Sequence, residues 1–286
     1  MSSQTQEAAE KNVAQPQESR VRNLAVRHPV IFFFAASYAI SWPFFLASHL
    51  VGDPFRTILI VIGGFGPATA AVWAIRLRRG SLSEWGRAII RWRVSPLAYL
   101  YALGLPVLIA AGLNAALMVL GHQVEWGLAP ERAPAYLLTF LLTAIIFGGQ
   151  EEPGWRGYAL GELQRQRSPL VATILLGLGW GIWHVPLYGP AGFVVPLVLA
   201  FFYTFLYNIT GSVLLCILLH AGLTAAQDHL LLTADTFTVD IVLLATYIVT
   251  AAAVIVLTRG RLGRRPVDEM ITPASRTTSM QRGETS

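Results

Sequence analysis

Along this chain apolar residues come in long unbroken stretches. They show neither the period-two alternation of a half-exposed strand nor the one-sided stripe of a surface helix. Eight stretches stand out, at about 29–51, 57–76, 97–120, 134–163, 170–188, 194–209, 212–231 and 239–258. Most reach the length of about 20 residues that a helix needs to cross a bilayer. Lipid leaves no partner for an unpaired backbone group, so the pattern predicts an all-α, polytopic membrane helix bundle of about eight transmembrane helices, with its functional core in spans four to seven. Two places interrupt the pattern. The sixth and seventh stretches are separated only by the tight turn "NITGS". The apolar part of the fourth stops near Gly149 and runs into "FGGQEEPGWRGYAL", Phe147 to Leu160.

Composition agrees with a membrane protein. Of 286 residues, 54% are hydrophobic and 13% charged, against about a quarter charged in soluble domains. The net charge of +5 does not point to nucleic acid, because the basic residues cluster at the flanks of apolar runs. Of the 21 lysines and arginines, nearly all fall on one side of an eight-span topology, with Arg56 and Arg132 on the other. The positive-inside rule then puts both termini in the cytoplasm. The expected address is the plasma membrane of a bacterial-type cell, with the lipid bilayer as an obligatory partner. Polar tails are expected at 1–27 and 266–286, both reading as disordered. Between them lie three spans with a basic loop (28–132), a core (133–232) and a last span (233–265). Within the loop, "SLSEWGRAIIRWRVSP" reads either as an amphipathic surface helix or as a basic stretch with interfacial tryptophans. Cys216, the one cysteine, reads as a small core residue.

Ionisable groups inside spans are costly and usually face a cavity or a partner. Glu152 and Arg156 are four apart, so on a helix they share a face and can pair, while Glu151 points about 100° away from Glu152 and is left to act. Pro153 and the Gly148–Gly149 pair predict a break, with the helix restarting at the carboxylates. His184 follows Trp180 by one turn in "GWGIWHVPLYGP". His220 lies inside the seventh stretch, with Thr224 one turn on and Gln227 and Asp228 beyond. His28, His49, His122 and His229 fall at span ends or in loops and carry no assigned role. A rise of about 1.5 Å per residue puts Glu151 roughly 20 Å, His184 roughly 24 Å and His220 roughly 20 Å from the basic membrane face. The three groups therefore share a level, provided the charged motif is helix and not a solvated loop.

A carboxylate and two imidazoles in a wet intramembrane cavity suit hydrolysis, and two chemistries fit. Glu151, His184 and His220 can hold Zn²⁺ with an open position for water. Alternatively no metal is used: Glu151 acts as general base on water with help from His184, and His220 and Thr224 donate to the oxyanion. The soluble zinc-protease motif H-E-x-x-H is absent, as is G-x-S-x-G.

The same residues carry a resemblance. "EEPGWRGYALGELQ", "LLGLGWGIWHVPLYG" and "ILLHAGLTAA" resemble the three motifs of the CAAX-protease and bacteriocin-processing family of membrane proteases, which includes the eukaryotic Ras-converting enzyme. That pattern is E-E-x-x-x-R, F-x-x-x-H and H-x-x-x-N. Glu151, Glu152 and Arg156 match the first motif and His184 the second, with Trp180 in place of phenylalanine. His220 matches the third, with Thr224 in place of asparagine. The resemblance, over about 134–230, implies an intramembrane endopeptidase acting on a membrane-associated peptide or protein, CAAX-like or of bacteriocin or signal type. Glu151 and His184 would activate water, with His220 and residue 224 at the oxyanion. A threonine hydroxyl reaches less far than an asparagine amide, which makes Gln227 a substitute donor. The departure at 224 also supports an alternative, a non-catalytic bacteriocin-immunity or peptide-binding protein. A transporter with a polar relay fits less well, since no paired broken helices recur in two halves.

Overall fold

The structure of the protein, a computed structural model, describes residues 20–233 and 236–264. Residues 20–27 of the expected N-terminal tail are helical. The rest of that tail, and the tail after Arg264, lie outside the described residues. Ten helices follow, with no strand among the described residues. They are α1 (Pro29–Ser48), α2 (Phe55–Leu77), α3 (Leu82–Ile89), α4 (Pro96–Val119), α5 (Leu128–Ile145), α6 (residues 149–164), α7 (Pro169–Tyr188), α8 (Val194–Thr210), α9 (Val213–His229) and α10 (Thr236–Leu257).

Local sequence sets several of these starts. Serine side chains cap four helices by accepting a backbone N–H: Ser81 from Glu84, Ser95 from Leu97, Ser168 from Val171 and Ser212 from Leu215. Proline opens α1, α4 and α7, where its missing N–H costs nothing. Gly211, at φ 62°, makes the left-handed turn that lets α9 follow α8 almost at once.

Among the described residues six helical runs are long and apolar enough to cross a membrane, counting Leu128–Gln164 as one, and the chain is an integral membrane protein. The expected count of eight spans is qualified at α8 and α9, which are 17 residues each. A rise of about 1.5 Å per residue gives each roughly 26 Å, somewhat short of a hydrocarbon core of about 30 Å. The expected fourth span is two helices in tandem, beginning at Leu128 and interrupted between Ile145 and Gly149. The segment after α2 is a helix, α3, and not a loop.

The helices of the core pack closely because small residues face the contacts. A Cβ on Gly177 would come within 2.9 Å of Leu197, and one on Gly181 within 2.5 Å of the Phe193 carbonyl. One face of α7 thus lies almost backbone to backbone with the start of α8. Along its other side α1 is fastened by side-chain donors to α7 carbonyls: Tyr38 Oη to Gly179, Trp42 Nε1 to Trp183 and His49 Nε2 to Pro186. Trp155 of α6 fills the centre, edge-on to Phe33 and Trp183. α5 packs on α9, and α10 covers the outer side of α8 and α4.

Candidate active site

The site is built around the break between α5 and α6. The α5 helix stops at Ile145, and Gly148, at φ 141°, reverses the chain in a conformation open essentially only to glycine. Its N–H donates to Gln150 Oε1 at 2.7 Å, which closes the turn. One 3₁₀ turn, Gly149–Glu151, leads into α-helix. From Trp155 to Ala159 the turns then widen to the π form, the Leu160 N–H reaching back to the Trp155 carbonyl. Such bulges are frequent at functional sites. They rotate the residues on either side away from the usual register, so the motif side chains spread over more than one face.

Glu152 and Arg156 pair as their spacing predicts, at 3.0 Å, with both side chains wholly buried. The guanidinium lies between two aromatic faces, 4.2 Å from the Trp180 ring centre and 4.1 Å from that of Tyr203. A desolvated cation between two π faces recovers part of the lost hydration. Breaking such a buried pair from one side leaves an uncompensated charge and costs about 3–5 kcal/mol. Glu152 Oε1 takes a second partner that the sequence did not indicate, His220 Nδ1 at 2.9 Å. One carboxylate oxygen therefore ties α6 to itself and to α9.

Glu151, 6% exposed, points elsewhere. Its Oε2 accepts a hydrogen bond of 2.8 Å from the Trp180 indole. In the sequence Trp180 reads as an aromatic neighbour of His184 and as the residue in place of the second motif's phenylalanine. The imidazole of His184 meets the Trp180 carbonyl through Nδ1 at 2.9 Å. A carbonyl only accepts, so the proton sits on Nδ1 and the lone pair on Nε2. Two adjoining cavities, about 340 and 430 Å³, share Glu151, His184 and Thr224 in their walls along with Phe147, Tyr188 and Asp228. The larger is also lined by His220, Trp180 and Gln227. Glu151, His184, His220 and Thr224 thus converge from α6, α7 and α9, while Glu152 and Arg156 form the layer behind them. Gln227, expected as a substitute donor, has its amide nitrogen engaged by Tyr247 Oη at 2.6 Å. Of the histidines without an assigned role, His49 bonds the Pro186 carbonyl and His229 bonds Thr139 Oγ1.

The proposed metal set of Glu151, His184 and His220 is not assembled: among the described residues no three His, Cys, Asp or Glu side chains are grouped so as to hold an ion. The arrangement instead turns each imidazole Nδ1 towards a fixed protein acceptor, leaving Nε2 as the remaining ring nitrogen.

Residues 133–226 match the sequence profile of a family described as Type II CAAX prenyl endopeptidase, Rce1-like. This is the stretch that contributes most of α5, all of α6 to α8 and the part of α9 that bears His220. Over that stretch the chain is similar to the CAAX protease family. A CAAX prenyl protease 2 from Methanococcus maripaludis is 49% identical over 51 residues, a match that spans 18% of this chain and 18% of that protein. The CAAX protease family profile thus takes in Glu151, Glu152, Arg156, His184, His220 and Thr224, and leaves α1 to α4, α10 and the wall residues Gln227 and Asp228 outside.

Proposed function

We propose that this protein is an intramembrane endopeptidase that hydrolyses a peptide bond in a membrane-associated peptide, with water activated between Glu151 and His184. The observation that carries the reading is the sharing of one cavity wall by a buried carboxylate and an imidazole whose Nε2 lone pair is free to accept. A water held there has two O–H bonds and two acceptors, Glu151 and His184 Nε2. Its own lone pair is thereby aimed at the substrate carbonyl. Glu151 takes one proton as the C–O bond forms and returns it to the leaving nitrogen as the C–N bond breaks. The Trp180 N–H holds the carboxylate through both steps.

His220 and Thr224 serve the oxyanion. His220 holds Nδ1 on Glu152 and turns Nε2 to the cavity, where it donates when the ring carries both protons, and the Thr224 hydroxyl adds a second donor on the same face. No step is routed through a metal ion. The substrate class follows the family description: a peptide ending in or near a lipid-modified segment, reaching the cleft from the bilayer. The arginine distribution supports a cytoplasmic placement for the end of the bundle where Arg78 meets Glu162 and Arg264 meets the Gln164 carbonyl.

The test is a reconstituted one. Purified protein in liposomes is given a library of membrane-anchored peptides, and new termini are identified by mass spectrometry. Wild type is expected to cut at a defined bond. His184→Ala is expected to lose the cut, by roughly 10²–10⁴ in kcat, while staying folded. No cleavage by wild type, or undiminished cleavage by the alanine variant, overturns the reading.

A further inference from the structure

The short helix α3 lies outside the family segment and has no role in the chemistry above, yet it touches the motif. The inner face of α3 is Leu82, Trp85, Gly86 and Ile89, at helical spacing and partly buried, while Ser83, Glu84 and Arg87 face out. Trp85 reaches from this face to α6, and its Nε1 donates to the Pro153 carbonyl at 2.9 Å. Pro153 is the residue after Glu152 and two after Glu151. It stands at the edge of the widened turns, where backbone register shifts by one residue. The indole fits closely: a Cβ on Gly157 would stand 3.1 Å from Trp85 Nε1 and 3.3 Å from Val213.

The chain just after α3 holds the other half of the site. Ser212 Oγ, the cap of α9, donates to the Arg91 carbonyl at 2.5 Å, and Arg91 Nη1 donates to the Thr210 carbonyl at 3.3 Å. Two turns above Ser212 on α9 sits His220. One surface segment therefore grips both elements that bring Glu151 and His220 together.

We propose that Trp85 is a positioning residue for the site: its indole N–H, through the Pro153 carbonyl, fixes the turn on which Glu151 and Glu152 sit. For its kinetic part this rests on the peptidase reading above. A carboxylate displaced by a fraction of an ångström loses its alignment with water, which lowers turnover without weakening peptide binding. Packing alone would have a different signature, because the ring and its N–H can be separated by substitution. Trp85→Phe keeps an aromatic ring and drops the donor. Trp85→Gln drops the ring and keeps a donor at comparable reach.

The experiment measures three things on the full-length protein in liposomes. These are kcat and KM on a cleaved peptide, the thermal midpoint, and hydrogen exchange of amides 149–158 by mass spectrometry. The expected order for kcat is wild type, then Gln, then Phe, with Phe down about tenfold and KM within about twofold. The expected order for thermal midpoint is different: wild type, then Phe, then Gln. Exchange at 149–158 speeds up in Phe and stays near wild type in Gln. Activity that follows thermal stability, with no exchange difference between the two variants, overturns the proposal. The exchange reading does not depend on turnover. If wild type cuts nothing while the exchange order holds, the peptidase reading falls and the positioning role stands. If wild type cuts and Phe matches it in kcat and exchange, the positioning role falls and the peptidase reading stands.

Discussion

Trp180 shows how much a single side chain can organise. Its N–H fixes Glu151 and its ring covers the Arg156 guanidinium. Its edges meet His184 and His220 at centroid distances of 5.7 and 5.8 Å. Glu151, Arg156, His184 and His220 thus all meet this one indole. The two contributions are separable, since phenylalanine keeps a π face for the arginine and offers no hydrogen bond. Trp180→Phe is therefore expected to leave the thermal midpoint nearly unchanged and to lower kcat about tenfold, the order of one hydrogen bond to a buried ionised acceptor. Steady-state kinetics beside a thermal melt checks this. A variant as active as wild type would make the indole N–H dispensable. None of this was legible in the sequence. The spacing of Trp180 and His184 places them on one face of one helix. That the indole nitrogen turns to a carboxylate 29 positions away depends on how α6 and α7 meet.

At the scale of elements, the break between α5 and α6 decides the site. The sequence announced it through Gly148, Gly149 and Pro153, three residues that weaken a helix for different reasons. The Glu152–Arg156 pair was equally readable, because the distance between residues four apart on a helix is a local property. The direction of the restarted chain was not readable, and neither was the use of Glu152 Oε1 by His220, since both are set by packing between distant segments. Gly148 carries the consequence. A Cβ there would stand 2.5 Å from His220 Nε2, and φ 141° excludes most other residues. Gly148→Ala is expected to destabilise the protein by about 1–3 kcal/mol from backbone strain and to push the imidazole out of line, removing cleavage. Thermal unfolding and a cleavage assay read the two effects. A stable, active alanine variant would show that the turn is not held as described.

For the whole molecule, the sequence placed the helices to within a few residues, because membrane spans are set by length and apolar content. It also placed Glu151, His184 and His220 at one level, a coincidence of counting that becomes a shared cavity in three dimensions. It left open features that depend on neighbours. α8 and α9 fall short of full span length. The amide of Gln227 goes to Tyr247 and not to the cleft. α3 tucks under the motif when its own composition allowed a loop. The CAAX protease family segment accounts for the site, while α1, α3 and the turn before α4 brace it from outside that segment. The claim on which all of this depends is that the Glu151 carboxylate activates water. The most direct measurement is cleavage of a membrane-anchored peptide in liposomes by Glu151→Gln, with folding verified by thermal unfolding. The side chain keeps its size and still accepts the Trp180 hydrogen bond, but it cannot take a proton. The account predicts a normally folded protein whose kcat falls by roughly 10²–10⁴. A folded glutamine variant that cuts at a rate close to wild type would contradict it.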